Sequence, residues 1–409
     1  MLIFQVVREG KKQKKDDPLI LKSVPKKVID ERETFVVKKL TEKEIEKKFV
    51  SEIKKQKIPL EIPGDVISVF AGILEKKQDE YASMDNKISE TVSSYWKIIY
   101  NSTILSDAFK VFKNERVATL FISYEAEFVQ MASPTHRNCL AIFETLSDER
   151  LAGLFEKYTK ELVQLEKEVG HHTDEIFRLL SVKKVADEFE KDPAKMANTL
   201  KAIERACGPW GYNVWQTFEA LRNDKVVSLL IKYPETFVQL AQASKEYAYT
   251  VFQVLAKNNV ATLFEDYQKE FVQIAGATKG WAPKTLEVLA TNENVSYLFK
   301  KYTKSFVAIV EANGEPCDVF LNLWNKKNVA FFEKYSNELV SISQAAGNHS
   351  AVAFSALNSE KILPIFEKHV QEFVQIAKIC GEAVGSAFAA FANEEIAKAF
   401  QTNSTEASR

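Results

Sequence analysis

Val260-Ala261-Thr262-Leu263-Phe264-Glu265-Asp266-Tyr267-Gln268-Lys269-Glu270-Phe271-Val272-Gln273-Ile274-Ala275 is the clearest copy of a unit that recurs along the chain. Its apolar anchors, Val260, Phe264, Tyr267, Phe271 and Ile274, form one stripe of helical period. The aromatic of its first half returns at Phe121, Phe155, Phe189, Leu230, Phe264, Phe299, Phe332 and Phe366, a spacing close to 34 residues throughout except for one interval of 41. A fixed period in this range marks a solenoid, in which each unit buries its apolar face only against its neighbours. The fold class expected is therefore mainly α: an α-solenoid of about eight 34-residue helical repeats, preceded by a small basic α+β N-terminal module.

The residue after the tyrosine slot is Glu125, Thr159, Pro193, Pro234, Gln268, Thr303, Ser336 or Val370. Two prolines and three hydroxyl residues in one register read as a helix start, because proline costs least at the first helical position and Ser or Thr cap. The stripe is thus expected to break there into two short helices. A third helix carries a Phe-x-x-Leu pair, as at Phe252/Leu255 and Phe320/Leu323. Units of this kind resemble the armadillo, HEAT and related α-solenoid repeats over roughly residues 105–400, and resemble uncharacterised archaeal helical-repeat proteins. The resemblance implies a scaffold without naming a ligand. The tetratricopeptide Trp/Leu-Gly/Tyr pattern is not present, although the length agrees.

Residues 1–58 do not share the repeat. Leu2–Val7, Leu19–Val24 and Thr34–Val37 read as strands, and Thr41 with Glu44 reads as a capping box opening a Lys/Glu-rich helix. Four segments are expected: a basic α+β head over 1–58, a helical linker or N-terminal cap over 59–104, the repeat array over 105–400 and a polar tail over 401–409. Of the whole chain's 55 Lys/Arg and 56 Asp/Glu, residues 1–58 hold 17 and 10, a net of +7, which leaves 38 and 46, a net of −8, for the remainder. The four cysteines are widely separated and form no CxxC, which fits a reduced cytoplasmic protein and neither a zinc site nor a disulfide framework. No apolar stretch is read as approaching the roughly 18 residues of a membrane span. The start at Met1 lacks the basic segment and long apolar core of a secretory signal.

No catalytic residues are expected. His171-His172 is the only histidine pair, and adjacent residues point apart on a helix. Neither a phosphate-binding loop nor a nucleophile elbow occurs. No cofactor or metal is therefore assigned. The sharper signals concern binding. Five residues before each third-helix anchor stand Asn138, His172, Asn213, Tyr247, Trp281, Glu315, His349 and Ala383. One register of a stacked array makes a row, and exposed Tyr and Trp are typical binding anchors. The seven extra residues of the long unit fall between Met196 and Phe218, where Gly208, Pro209 and Gly211 beside Trp210 and Tyr212 read as a protruding aromatic loop. A recurring glutamine at Gln130, Gln164, Gln239, Gln273 and Gln375 reads as a solvated helix face.

These signals give two functional expectations. The first is a non-enzymatic scaffold binding a protein partner through Trp210, Tyr212, His172, Asn213, Tyr247, Trp281 and His349. The alternative is a nucleic-acid or ribosome-associated factor whose head meets phosphates through Lys11, Lys12, Lys14, Lys15, Lys26 and Lys27. The uncharged run Ala383–Ala392 adds a third expectation, a two-fold homodimer through Phe388, Ala389 and Phe391 of the last repeat.

Overall fold

The computed structural model describes residues 39–101, 105–132, 139–208, 211–323 and 326–407. Among these residues the protein is mainly α, with many packed helices and no strand. The three expected strands and the six head lysines lie outside the described residues. The chain divides into two compact units, Met1–Leu40 and Thr41–Arg409. The second opens on the expected capping box: Thr41 accepts from the Glu44 N–H, and the Glu44 carboxylate accepts from the Thr41 N–H at 2.8 Å. The helix it starts, Glu42–Lys55, packs on Gly64–Lys76 and Met84–Asn101. Phe49 stacks on Phe70, and Phe70 meets Tyr95 edge-on. This helix, attached to the head by sequence, is therefore built into the body that follows.

The stretch that begins at Val260 makes Asn258–Asp266, Gln268–Thr278, a short 3-10 turn and then Ala282–Thr291. The break between the first two helices sits on Tyr267, whose φ of −129° and ψ of 42° end one helix and open the next. Tyr124, Tyr158, Tyr233 and Tyr302 do the same, and Tyr335 kinks the continuous helix Lys326–Ala346. The following residue starts the second helix as expected. The hydroxyls there do not cap it, however. The Thr159 and Thr303 side chains donate backwards to the carbonyls of Phe155 and Phe299, so the tyrosine conformation itself makes the break.

The recurrence of tyrosine has a second cause. Each ring lies edge-on against the phenylalanine anchor one unit further along: Tyr124 on Phe155, Tyr158 on Phe189, Tyr233 on Phe264 and Tyr267 on Phe299, at 5.1–5.9 Å. The Tyr158 hydroxyl donates to the Glu190 carbonyl at 3.1 Å, and the Tyr124 hydroxyl to that of Glu156. An aromatic contact and a hydrogen bond thus fix each unit to the next, which is why the period varies so little. The lysines beside these tyrosines pair with glutamates one unit on, as Lys232 with Glu265 at 2.7 Å and Lys301 with Glu333 at 2.7 Å. Being exposed, these ion pairs add little.

Helices also pack on their counterparts. Among second helices, Pro193–Ala206 packs on Pro234–Ser244, that on Gln268–Thr278, and that on Thr303–Ala312. Among third helices, Gly211–Leu221 packs on Ala248–Leu255, that on Ala282–Thr291, and Ser350–Leu357 on Val384–Ala390. The anchors Phe121, Phe155, Phe189, Phe264, Phe299, Phe332 and Phe366 are fully buried between them.

Two expectations need correcting at the C-terminal end. Phe388 and Phe391 are buried, so of the three interface residues only Ala389 is exposed. Phe388 packs on Phe373 at 5.0 Å, and Phe391 is met by Phe400 of the helix Glu394–Ala407 at 4.8 Å, a ring that also lies 5.9 Å from Phe373. In addition, Val370–Ala390 is one stretch long and apolar enough to cross a bilayer, which the sequence reading did not register. It is not a continuous rod. Gly381, at φ 52°, turns the chain between Val370–Cys380 and Val384–Ala390, and Phe373, Val374, Ala377, Val384 and Phe388 are buried.

Candidate interaction surface

The turn from second to third helix has one construction in five units. The residue after the second helix takes a positive φ: Gly170 at 73°, Lys245 at 51°, Lys279 at 47°, Gly347 at 53° and Gly381 at 52°. The residue just before the third helix is then the expected register residue, namely His172, Tyr247, Trp281, His349 or Ala383. In these five units the row read from sequence is thus one structural position repeated, whereas Glu315 stands two residues before its helix Cys317–Leu321. Trp281 is 41% exposed and Tyr247 37% exposed, large values for aromatic side chains. His349 is exposed and sits 3.8 Å from the Glu382 carboxylate of the next turn. His172 is half-buried, and that burial lowers its pKa.

Tyr247 and Trp281 belong to consecutive turns that touch. A Cβ on Gly280 would sit 3.1 Å from Tyr247 Cζ, so the tyrosine ring lies across the neighbouring turn because residue 280 has no side chain. On the far side of Trp281, the Lys284 ammonium lies 5.5 Å from the indole ring. The result is a ledge of two exposed aromatics with Lys245, Lys279 and Lys284 beside them, all three exposed.

The two lysines at positive φ were not legible as special. L-residues avoid that backbone region, where glycine is the default. Three units use glycine there, and the two carrying exposed aromatics use lysine. Lys245→Gly and Lys279→Gly are each expected to stabilise the protein by about 1 kcal/mol through relief of backbone strain. Chemical denaturation of each variant beside wild type measures this. An unchanged or lower midpoint in both would mean the turns carry no strain.

The other candidate residues are not gathered here. Asn213 lies within the helix Gly211–Leu221, half-buried, with its carbonyl accepting from the Thr217 hydroxyl, so it leaves the turn register. Trp210 lies outside the described residues. Tyr212 falls in the same helix as Asn213, so from Gly211 onward the expected loop is helical. The extra residues of this unit instead lengthen its helices: Pro193–Ala206 has 14 residues where Gln268–Thr278 has 11. Trp215, 45% exposed on that third helix, is the large aromatic at the surface. The five recurring glutamines are all exposed on second helices, and Gln130 accepts from Lys167 one unit on at 3.1 Å.

Among the described residues, no group of three or more His, Cys, Asp or Glu side chains converges as metal ligands would. No family model matches the chain, and no curated protein matches it.

Proposed function

We propose that the chain is an α-solenoid of about eight units that serves in the cytoplasm as a non-enzymatic scaffold for a protein partner. The observation that carries this is the pair of exposed aromatics, Tyr247 and Trp281, on touching turns. Large apolar rings kept in solvent by successive units form the kind of anchor that dominates binding energy at protein interfaces. The lysines on the same ledge favour an extended partner segment bearing carboxylates, since the helical body from residue 59 onward is acidic overall and these turns are not.

Tyr247→Ala and Trp281→Ala are each expected to weaken partner binding by more than about 1 kcal/mol while leaving the melting temperature nearly unchanged. Titration calorimetry against a partner recovered from the native cell, alongside thermal melts, reads both quantities. A large loss of stability with no specific loss of affinity would make the rings packing elements.

A second reading rests on the charge step, +7 over residues 1–58 against −8 afterwards. It is a nucleic-acid or ribosome-associated factor held by the lysine-rich head. Salt separates the two: phosphate-driven binding weakens steeply as salt rises, and aromatic-anchored binding changes little.

A further inference from the structure

We infer that the segment seated on the Tyr247–Trp281 ledge is an acidic, proline-rich stretch in polyproline II conformation, with a carboxylate at every third residue. This rests on the scaffold reading above and deepens it by naming the occupant. The first observation is the backbone at two lysines. Lys245 stands at φ 51° and ψ −122°, and Lys279 at φ 47° and ψ −114°. That is the first central position of a type II′ turn, where glycine dominates, and Gly170, Gly347 and Gly381 fill it in the other turns of this construction. A lysine kept there despite the strain is explained by its ammonium group. The second observation is that these ammonium groups lack an internal partner. Elsewhere lysines pair with a glutamate about one unit on, as Lys157 with Glu190, Lys232 with Glu265, Lys301 with Glu333 and Lys334 with Glu367. Among the described residues no carboxylate comes within ion-pair distance of Lys245 or Lys279. Lys284 lies over the Trp281 ring, and Glu246 is the one acidic side chain on the two turns, so the ledge is cationic.

Spacing selects the conformation. Lys245 and Lys279 hold one position in neighbouring units, as do Tyr247 and Trp281. The helices flanking these turns pack directly, Pro234–Ser244 on Gln268–Thr278 and Ala248–Leu255 on Ala282–Thr291. Packed helices lie about 8–10 Å apart, so the two turns are offset by about that distance. Polyproline II advances about 3.1 Å per residue with three residues per turn, and so presents the same face every ~9 Å. A carboxylate at every third residue then meets successive lysines, while the pyrrolidine rings between lie on Tyr247 and Trp281. A β-strand presents the same face after two residues, at about 7 Å, or after four, at about 13 Å, and fits neither way. An α-helix with acids seven residues apart would fit in length, at about 10.5 Å. Helices, however, dock by laying an apolar face into a hydrophobic groove. The exposed neighbours of the two rings, Lys245, Glu246, Lys279, Gly280 and Lys284, do not make one. A proline-rich segment suits a bare aromatic ledge, because it arrives already extended and loses little entropy on docking.

Fluorescence anisotropy of the full chain with a labelled synthetic peptide of repeated Asp-Pro-Pro triplets tests this. The peptide is expected to bind, and exchanging its aspartates for asparagine to weaken it at least about tenfold. Moving the aspartates to every fourth residue of the proline peptide is expected to weaken it about threefold or more. Trp281→Ala should lower the peptide's affinity at least about fivefold. Lys245→Gly and Lys279→Gly should each lower it about threefold, although both are expected to be the more stable proteins. An affinity weaker than about 1 mM overturns the inference. So does equal binding of the asparagine or the respaced peptide, or glycine variants that bind as wild type does. A helical peptide with acids seven apart, or a single-stranded polyuridine oligonucleotide, overturns it too if it binds more tightly and loses affinity in the same variants. If the triplet peptide fails while Tyr247→Ala and Trp281→Ala still weaken the partner recovered from the native cell, the inferred chemistry of the segment falls and the scaffold reading stands.

Discussion

Phe264→Ala is expected to lower stability by about 3–5 kcal/mol, and Phe299→Ala by a similar amount, the range for truncating a fully buried phenylalanine. Both side chains are completely buried. Phe264 is touched by Tyr233 and Phe237 of the preceding unit at 5.9 Å each and by Phe271 of its own at 5.6 Å. Phe299 is held by Tyr267 and Phe306 in the same manner. Removing the ring therefore leaves a cavity and also takes the partner from the tyrosine that links two units. In the solenoid proposed above, whose units contact only their neighbours, such a loss falls on one junction. Denaturation should then separate into two steps for Phe264→Ala, with the units on either side melting apart. Urea titration followed by circular dichroism, with tryptophan fluorescence as a second probe, shows whether the transitions split. Near-neutral effects at both positions would mean that the apolar stripe faces outward.

Much of this was legible because the period is strict. The anchors, the break beside the tyrosine slot and the register that becomes the aromatic row all follow from residue spacing alone. What spacing does not show is which side of a helix the neighbouring unit covers. Phe388 and Phe391 stand in an uncharged run and read as surface, yet both are core: Phe388 packs on Phe373, and Phe400 of the last helix packs on Phe391. Ile379, in the same neighbourhood, is the most exposed large apolar side chain among the described residues. The extra residues of the long unit read as a loop from their glycines and proline, but from Gly211 the backbone is helical, tertiary packing having overridden local propensity. The strained lysines left no sequence signal at all, since a positive φ is only suggested by glycine or asparagine.

Glu166 carried a signal that went unread, and it leads to a pH-dependent result. Four residues after the second-helix anchor, other units place Ala132, Leu200, Ala241, Ala275, Val310, Ser343 and Ala377, while this one places a glutamate. The side chain is fully buried in Thr159–Val169. Burial pushes its carboxyl pKa up to about 8 from an ordinary 4.5, with Lys167 opposing only in part. The folded chain then holds a proton that the unfolded chain releases between those two values. Stability must fall as pH rises through that window, by up to about 1.4 kcal/mol per pH unit, and level off above it. Asp174, Glu175 and Glu204 are shifted in the same direction by burial, so wild type alone does not isolate the effect. The difference between wild type and Glu166→Gln does, because glutamine has nearly the same shape and cannot ionise. The two proteins should have similar stability at pH 5, and the glutamine variant should be the more stable at pH 8.5 by roughly 3 kcal/mol. Urea midpoints at both pH values measure that gap, and parallel profiles would show that the carboxylate is already ionised in the native protein.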